Sequence, residues 1–272
     1  VGLGIAEAHL RAQFSAEICD HHTFVICGDG DLSEGLSHEA ASLAGHLGLV
    51  RLVYIYDDNH ITIDGATELA LTDDAPSRFE AYGWHVDDLG EAANDLDVLE
   101  AAIRGAMAVE DKPSLIVVRS HIAYPSPDLT DSPAAHGKAF SDEQIAATKE
   151  VMGLPPEETF HIPVEVAQLY REAGKAGAAK RTAWEQRRAD YAGDRAALDA
   201  ALAGTGLDGW PDALPSFTEG DAIATRVASG KCFNALTEVV PGLMGGGADL
   251  SGNTGTLLSD AEQFSADAPE GK

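Results

Sequence analysis

Helical periodicities and short apolar runs alternate along the first half of the chain. Leu3, Ala6, Leu10 and Phe14 recur at helical spacing, which predicts an amphipathic helix. Thr23-Phe24-Val25-Ile26-Cys27 is a continuous apolar run and predicts a fully buried strand. The Ala- and Leu-rich, proline-free stretch 34–47 predicts a second helix, and Arg51-Leu52-Val53-Tyr54-Ile55-Tyr56 a second strand. Strand, helix and strand at this spacing form a βαβ unit, whose strands are expected to be parallel with a right-handed crossover. The alternation continues with a brief extended segment over 61–65, a helix over 77–82 and a short strand over 84–86. A helix over 96–109 and a buried strand over 114–119, behind Pro113, complete it. This order specifies an α/β fold, an open, mainly parallel sheet with helices on both faces.

A loop over 123–139, stiffened by Pro125, Pro127 and Pro133, ends at His136-Gly137. A helix capped by Ser141, with Glu143 and Gln144 behind it, follows. The pattern over 163–202 is helical and polar, with Tyr170, Trp184 and Tyr191 as expected core anchors. Gly204, Gly206, Gly209, Pro211 and Pro215 then break the chain. The expected organisation is a first domain over 1–203, a linker over 204–220 and the start of a second α/β domain over 221–272. That second part should hold a helix over 221–240 and a strand over 243–250 running into a glycine turn. The chain opens on Val1 inside a helical pattern and the second domain reads as unfinished, so the expectation is a fragment.

The 44% apolar content of the 272 residues suffices for real cores. No apolar run approaches the ~20 residues of a membrane span, and nothing at the start reads as a secretory signal. With 45 acidic against 18 basic residues the net charge is −27, which disfavours nucleic acid and anionic membranes as partners. Cys19, Cys27 and Cys232 form no Cys-x-x-Cys pair, so zinc and redox motifs are unsupported. Cys27 reads as a small buried apolar residue, and a reducing, cytoplasmic setting is expected.

The candidate chemistry lies at two strand ends. Cys27-Gly28-Asp29-Gly30-Asp31 follows the first apolar run and Asp57-Asp58-Asn59 the second. Parallel neighbours would set Asp29 and Asn59 at one end of the sheet, where ligands gather in open α/β folds. A carboxylate and an amide oxygen suit Mg²⁺ or Ca²⁺ rather than zinc, Mn²⁺ being a further possibility. Gly28 and Gly30 let the backbone turn tightly and offer N–H groups to phosphate oxygens. The following helix could add its positive end, although Glu34 there would oppose an anion. A Gly-Asp-Gly tripeptide alone is a tight turn; with a strand-terminal Asn at this spacing it becomes a candidate cation and diphosphate site.

Gly28-Asp29-Gly30 through Asn59 resembles the thiamine diphosphate motif. Glu34-Gly35-Leu36-Ser37-His38-Glu39-Ala40-Ala41-Ser42-Leu43-Ala44-Gly45 and Tyr56-Asp57-Asp58-Asn59-His60-Ile61-Thr62-Ile63-Asp64-Gly65 resemble the transketolase family in particular. So do Phe79-Glu80-Ala81-Tyr82-Gly83-Trp84-His85-Val86 and Asp111-Lys112-Pro113-Ser114-Leu115. Ala224-Thr225-Arg226 and Gly246-Gly247-Ala248-Asp249-Leu250 resemble the start of that family's pyrimidine-binding domain.

The resemblance implies that the first domain is the diphosphate-binding one, with the thiamine diphosphate-binding fold. It implies that Asp29, Asn59 and the backbone oxygen of Ile61 hold Mg²⁺ and that Gly30 donates its N–H to the diphosphate, next to Gly28. Ile63 and Ile122 would pack near the thiazolium, and His136 would lie between diphosphate and substrate hydroxyl. Glu34 and Glu39 match interface glutamates that link the family's two active sites, and Arg226 an arginine that grips the substrate phosphate. Asn253 stands where the family typically has a phosphate-binding serine, a departure that puts this role in doubt.

The implied activity is reversible transfer of a two-carbon ketol unit from a ketose phosphate to an aldose phosphate, in the pentose phosphate pathway or Calvin cycle. Sugar phosphates would be the substrates and a homodimer the state of the full-length protein. The family's substrate-facing amino-terminal histidines would precede Val1 and its catalytic glutamate follow Lys272, so this polypeptide alone is expected to be inactive. Two alternatives stand beside this reading. One is another thiamine enzyme, such as dihydroxyacetone synthase or deoxyxylulose phosphate synthase. The other is a non-catalytic module that binds Mg²⁺ and diphosphate.

Overall fold

The computed structural model describes residues 1–272. Its strands are β1 (Thr23–Gly28), β2 (Leu52–Asp58), β3 (His85–Asp88) and β4 (Ser114–Arg119). The helices are α1 (Gly2–Phe14), α2 (Asp29–Ser33), α3 (Gly35–His46), α4 (Ala75–Ala81) and α5 (Leu96–Met107). They continue with α6 (Asp142–Val151), α7 (Val164–Asp190), α8 (Arg195–Ala203), α9 (Thr225–Leu236) and α10 (Ser251–Thr254). By internal contacts the chain divides into two units, 1–5 with 21–180 and 6–20 with 181–272.

In the first unit the four strands form one parallel sheet in the order β1-β2-β4-β3. Side chains alternate between its faces. Val53 and Ile55 of β2, with Ile116 and Val118 of β4, pack on Ala102 and Ala106 of α5. On the other face Tyr54 meets Phe79 of α4 and Trp84, with ring centroids 6.4 and 5.0 Å away. The Trp84 indole donates to the Ala41 carbonyl of α3 at 2.8 Å, which satisfies the polar atom of a buried aromatic ring. Helices therefore cover both faces, as the alternation of elements requires.

Local chemistry sets the helix starts. Asp95 accepts the amides of Asp97 and Val98 ahead of α5, and Asp74 accepts that of Ser77 ahead of α4. Ser141 and Gln144 exchange hydrogen bonds of 3.3 and 2.9 Å, the capping box expected at α6.

Four expectations are corrected. The run 23–27 is not fully buried: β1 is an edge strand, with Phe24 and Ile26 exposed on the side where α5 packs on β2 and β4. Tyr170 is exposed and anchors nothing, and α7 buries no residue at all. No strand forms over 243–250, where Gly245, Gly246 and Gly247 supply no side chains for a sheet to pack. The helix expected over 221–240 is also shortened to α9, because Asp221 accepts the Thr218 amide in a turn ahead of it.

The second unit has its own core of Phe14, Ile18, Cys19 and Leu198, with Tyr191 set edge-on to Phe14. Trp184 donates to the Ile18 carbonyl at 2.9 Å, so two of the three expected aromatic anchors serve here. No helix in the chain is long and apolar enough to cross a membrane.

Gly45 shows how closely α3 is set down. A Cβ there would lie 1.8 Å from the Tyr82 carbonyl oxygen, which is backbone and cannot swing aside. Gly45→Ala is expected to destabilise the protein by about 1–3 kcal/mol or more, read as a lower urea midpoint with unchanged slope. The net charge of −27 makes a second prediction. Self-repulsion is screened as the Debye length falls from about 10 Å at 0.1 M salt to about 3 Å at 1 M. The melting temperature should therefore rise with NaCl over that range; a flat or falling profile would show that repulsion does not limit stability.

Candidate functional site

β1 and β2 run parallel in a register that sets Gly28 opposite Asp57, so the chain leaves both strands at the same end of the sheet. Leaving β1 it enters α2, a single helical turn over the stretch expected as an open glycine turn, and Glu34 then precedes α3. Asp29 and Leu32 of α2 point inward, and Asp29 is 5% exposed. Its two oxygens are held separately. The Tyr56 hydroxyl donates to Oδ1 at 2.6 Å and the His60 backbone amide to Oδ2 at 3.1 Å. Both donors are neutral. Burial pushes the Asp29 carboxyl above the usual carboxylate range, opposed by the Tyr56 hydrogen bond. The Tyr56 phenol is driven up by burial and then by Asp29, so it stays protonated and donates.

Asn59 is oriented by the other side of β2. Its amide nitrogen donates to Asp57 Oδ2 at 3.2 Å, while Ser120 Oγ donates to Asp57 Oδ1. With the nitrogen committed, Oδ1 is the acceptor end. It takes the Ile61 amide at 2.9 Å and keeps a second lone pair. Asp31 holds the turn itself, accepting the Gly28 amide at 2.9 Å. The Cys27 thiol beneath it is pushed up to about 12, by burial first and then by Asp31, Asp57 and Asp29. It is an inert core group, as expected from the sequence.

A cavity of about 500 Å³ opens over these strand ends. Gly28, Asp29, Gly30 and Glu34 line it from the first strand end, and Asn59, Ile61 and Ile63 from the second. His136 reaches it from the loop that follows β4. The stretch 61–65, expected as extended, is instead a tight turn closed by a single Ile61–Ala66 bridge, and Ile63 sits in its bend. A smaller cavity, about 330 Å³, shares Asp29 and is lined by Tyr56, Asp58, His60 and Arg78.

The remaining candidates lie elsewhere. Glu39 is on the exposed side of α3, and Ile122 is half-buried in the loop after β4, its carbonyl accepting the Asp131 amide at 3.0 Å. Arg226 and Asn253 belong to the second unit, exposed on α9 and α10, two helices in mutual contact. Tyr56 is the site residue that sequence reasoning missed, while Asp31 and Asp57 lay within the two candidate stretches without an assigned role. A tyrosine closing an otherwise apolar strand was the available signal, since a buried phenol needs a partner.

No group of three or more histidine, cysteine or acidic side chains is arranged to hold a metal. The oxygen set at the strand ends fits a different kind of site. One carboxylate and one amide oxygen, completed by ligand phosphates and water, match the way Mg²⁺ is commonly held. Gly30 fits the same use, because a Cβ there would meet no atom within 4 Å. The fold does not require glycine at this position, and its bare backbone is open to a ligand.

Residues 1–209 match the family described as transketolase, thiamine diphosphate binding domain. The chain is 44% identical over 278 aligned residues to the chloroplastic transketolase of Zea mays, covering 99% of this chain and 41% of that protein. Transketolase from Leishmania mexicana superposes with a TM-score of 0.92 at 37% identity, over 99% of this chain and 41% of that one. Transketolase from Pichia stipitis in complex with sedoheptulose 7-phosphate also gives 0.92, at 34% identity, over 99% and 42%. The chain thus spans about two fifths of the length of these relatives.

The loop that carries Ile122 toward His136 is tied at its start by His121. Its Nδ1 lies 2.9 Å from the Asp131 carboxylate and its Nε2 2.9 Å from Glu91. These two partners, Asp131 first, raise the His121 pKa above its ordinary value. A raised folded-state pKa contributes stability that is full below the unfolded value of about 6.5 and is lost as pH rises through the folded value. The melting temperature advantage of wild type over His121→Gln should therefore shrink as pH rises from about 6 to about 8.5. A difference that stays constant would mean the imidazole is not charged between its two carboxylates.

Proposed function

The chain belongs to the transketolase family, and we propose that the complete protein transfers a two-carbon ketol unit from a ketose phosphate to an aldose phosphate. The observation that carries this reading is the convergence of Gly28, Asp29, Gly30, Asn59, Ile61, Ile63 and His136 on one cavity at adjacent parallel strand ends. In the proposed assignment Asp29, Asn59 Oδ1 and the Ile61 carbonyl hold Mg²⁺, and the Gly30 amide donates to the cofactor diphosphate. Bound there, thiamine diphosphate supplies a nucleophilic ring carbon and an electron sink, while Mg²⁺ neutralises and orients its diphosphate.

The chain's own residues then have separate tasks. Ile63, two-thirds exposed in the cavity wall, offers an apolar surface to the cofactor ring, and Ile122 is assigned to the same ring. His136 hydrogen-bonds the donor-sugar hydroxyl or moves its proton. Arg226 supplies phosphate affinity through its guanidinium fork, with Asn253 as a weaker hydrogen-bonding neighbour. The Pichia stipitis relative binds sedoheptulose 7-phosphate, which supports sugar phosphates as the substrate class. Leu36, Glu39 and Leu43 share an exposed face of α3, and Glu34 is exposed ahead of that helix. That face suits the subunit interface of a homodimer, where Glu34 and Glu39 would couple two sites.

The full-length protein should form a new ketose phosphate from a ketose phosphate donor and ribose 5-phosphate, dependent on thiamine diphosphate and a divalent cation. Use of formaldehyde but not ribose 5-phosphate as acceptor would replace this assignment with dihydroxyacetone synthase. Gly30→Ala separates binding from folding. In a helical turn with open space around it, the substitution should leave stability unchanged or raise it by about 0.5 kcal/mol. Cofactor affinity should meanwhile fall about tenfold or more, as a methyl group enters the space for the diphosphate.

A further inference from the structure

We propose that Tyr56 is a positioning residue for the cation site: its hydroxyl fixes the Asp29 carboxylate in the orientation that receives the metal. The inference rests on the reading of Asp29 as a cation ligand and adds a residue that the ligand set does not contain.

Tyr56 occupies the last inward position of β2, paired in register with Cys27, one residue before the chain turns from Gly28 into Asp29. The residue is 6% exposed, and its hydroxyl reaches Asp29 Oδ1 at 2.6 Å. His60 N–H holds the other oxygen at 3.1 Å. Two donors fixed by the fold, one on each oxygen, stop the carboxylate from rotating about its terminal bond. Each oxygen still has a lone pair for a cation.

The neutrality of both donors is the decisive point. An arginine or lysine in place of Tyr56 would orient Asp29 equally well but would cancel the charge that attracts a divalent ion. A tyrosine phenol is un-ionised at neutral pH, so at 2.6 Å it orients the carboxylate and leaves its negative charge available to a cation. The same hydroxyl is 3.0 Å from Asp58 Oδ1. It has one proton to give, and the shorter contact assigns that proton to Asp29. Asp58 has its own partner in His60 Nε2, at 3.2 Å.

The test uses the full-length protein with thiamine diphosphate present and Mn²⁺ as the probe, its free concentration read by electron paramagnetic resonance. Tyr56→Phe keeps the ring and deletes only the donor, so Mn²⁺ affinity should fall about 10–100-fold. Raising Mn²⁺ to saturation should restore wild-type cofactor affinity, a rescue that damage to the fold would not show. Tyr54→Phe removes a phenol from the same strand, two residues away and outside both cavities lined by Asp29, and should leave Mn²⁺ affinity unchanged. Replacing Tyr56 with 4-aminophenylalanine keeps a neutral donor at the same position, 2.6 Å from Asp29 in the wild type. That variant should bind Mn²⁺ close to wild type, which keeps the test decisive if Tyr56→Phe does not fold.

The proposal is overturned if Tyr56→Phe binds Mn²⁺ like wild type while Asp29→Asn does not. It is equally overturned if its loss resists saturating Mn²⁺, if Tyr54→Phe loses as much, or if the 4-aminophenylalanine variant binds Mn²⁺ as weakly as Asp29→Asn. Wild-type Mn²⁺ affinity in Asp29→Asn would instead remove the ligand reading on which the proposal stands.

Discussion

A buried carboxylate held only by neutral donors is the constraint on which the site depends. Taking a carboxylate out of water is costly unless a charge or strong hydrogen bonds meet it. Asp29 has a phenol and a backbone amide, and burial still raises its pKa. Its negative charge is therefore only partly compensated by the protein. A divalent cation delivered with a diphosphate would complete that compensation, and the surrounding oxygens are of the kind such an ion prefers.

The fold supplies this arrangement through strand geometry. Parallel β1 and β2 end side by side, which brings Asp29 within reach of Tyr56 and of the His60 amide. Strand alternation then divides the work along β2. Tyr56 points to the face shared with α3 and α4 and holds Asp29, whereas Asp57 on the opposite side holds Asn59. Two consecutive residues at one strand end thus orient groups from two different segments. Asp31 and Ser33 fasten the helical turn between β1 and α3 through bonds to Gly28 and Asp29.

Much of this was legible in the sequence, for identifiable reasons. Asp29 and Asn59 stood out because hard oxygen ligands directly after two apolar runs have few structural explanations. Ile61, Ile63 and His136 came from family resemblance alone, since an isoleucine or a loop histidine carries no signal of its own. Tyr56, and the role of Asp57, were hidden because they depend on register, which fixes the partner of each strand residue and cannot be read from one strand. The exposure of Phe24 and Ile26 was hidden for a similar reason: an apolar run reports the character of a strand, not which of its faces another element covers. The glycines at 245–247 misled by imitating a strand end in a segment that forms no strand.

The account stands or falls on where the cation binds. A crystal of the complete protein grown with Mn²⁺ and thiamine diphosphate, with anomalous scattering recorded for manganese, locates the ion directly. The account predicts a single peak about 2.0–2.4 Å from an Asp29 carboxylate oxygen and from Asn59 Oδ1, the distances expected of a hard cation on oxygen ligands. A manganese peak away from Asp29, with the Tyr56–Asp29 hydrogen bond intact beside an empty strand end, would contradict it.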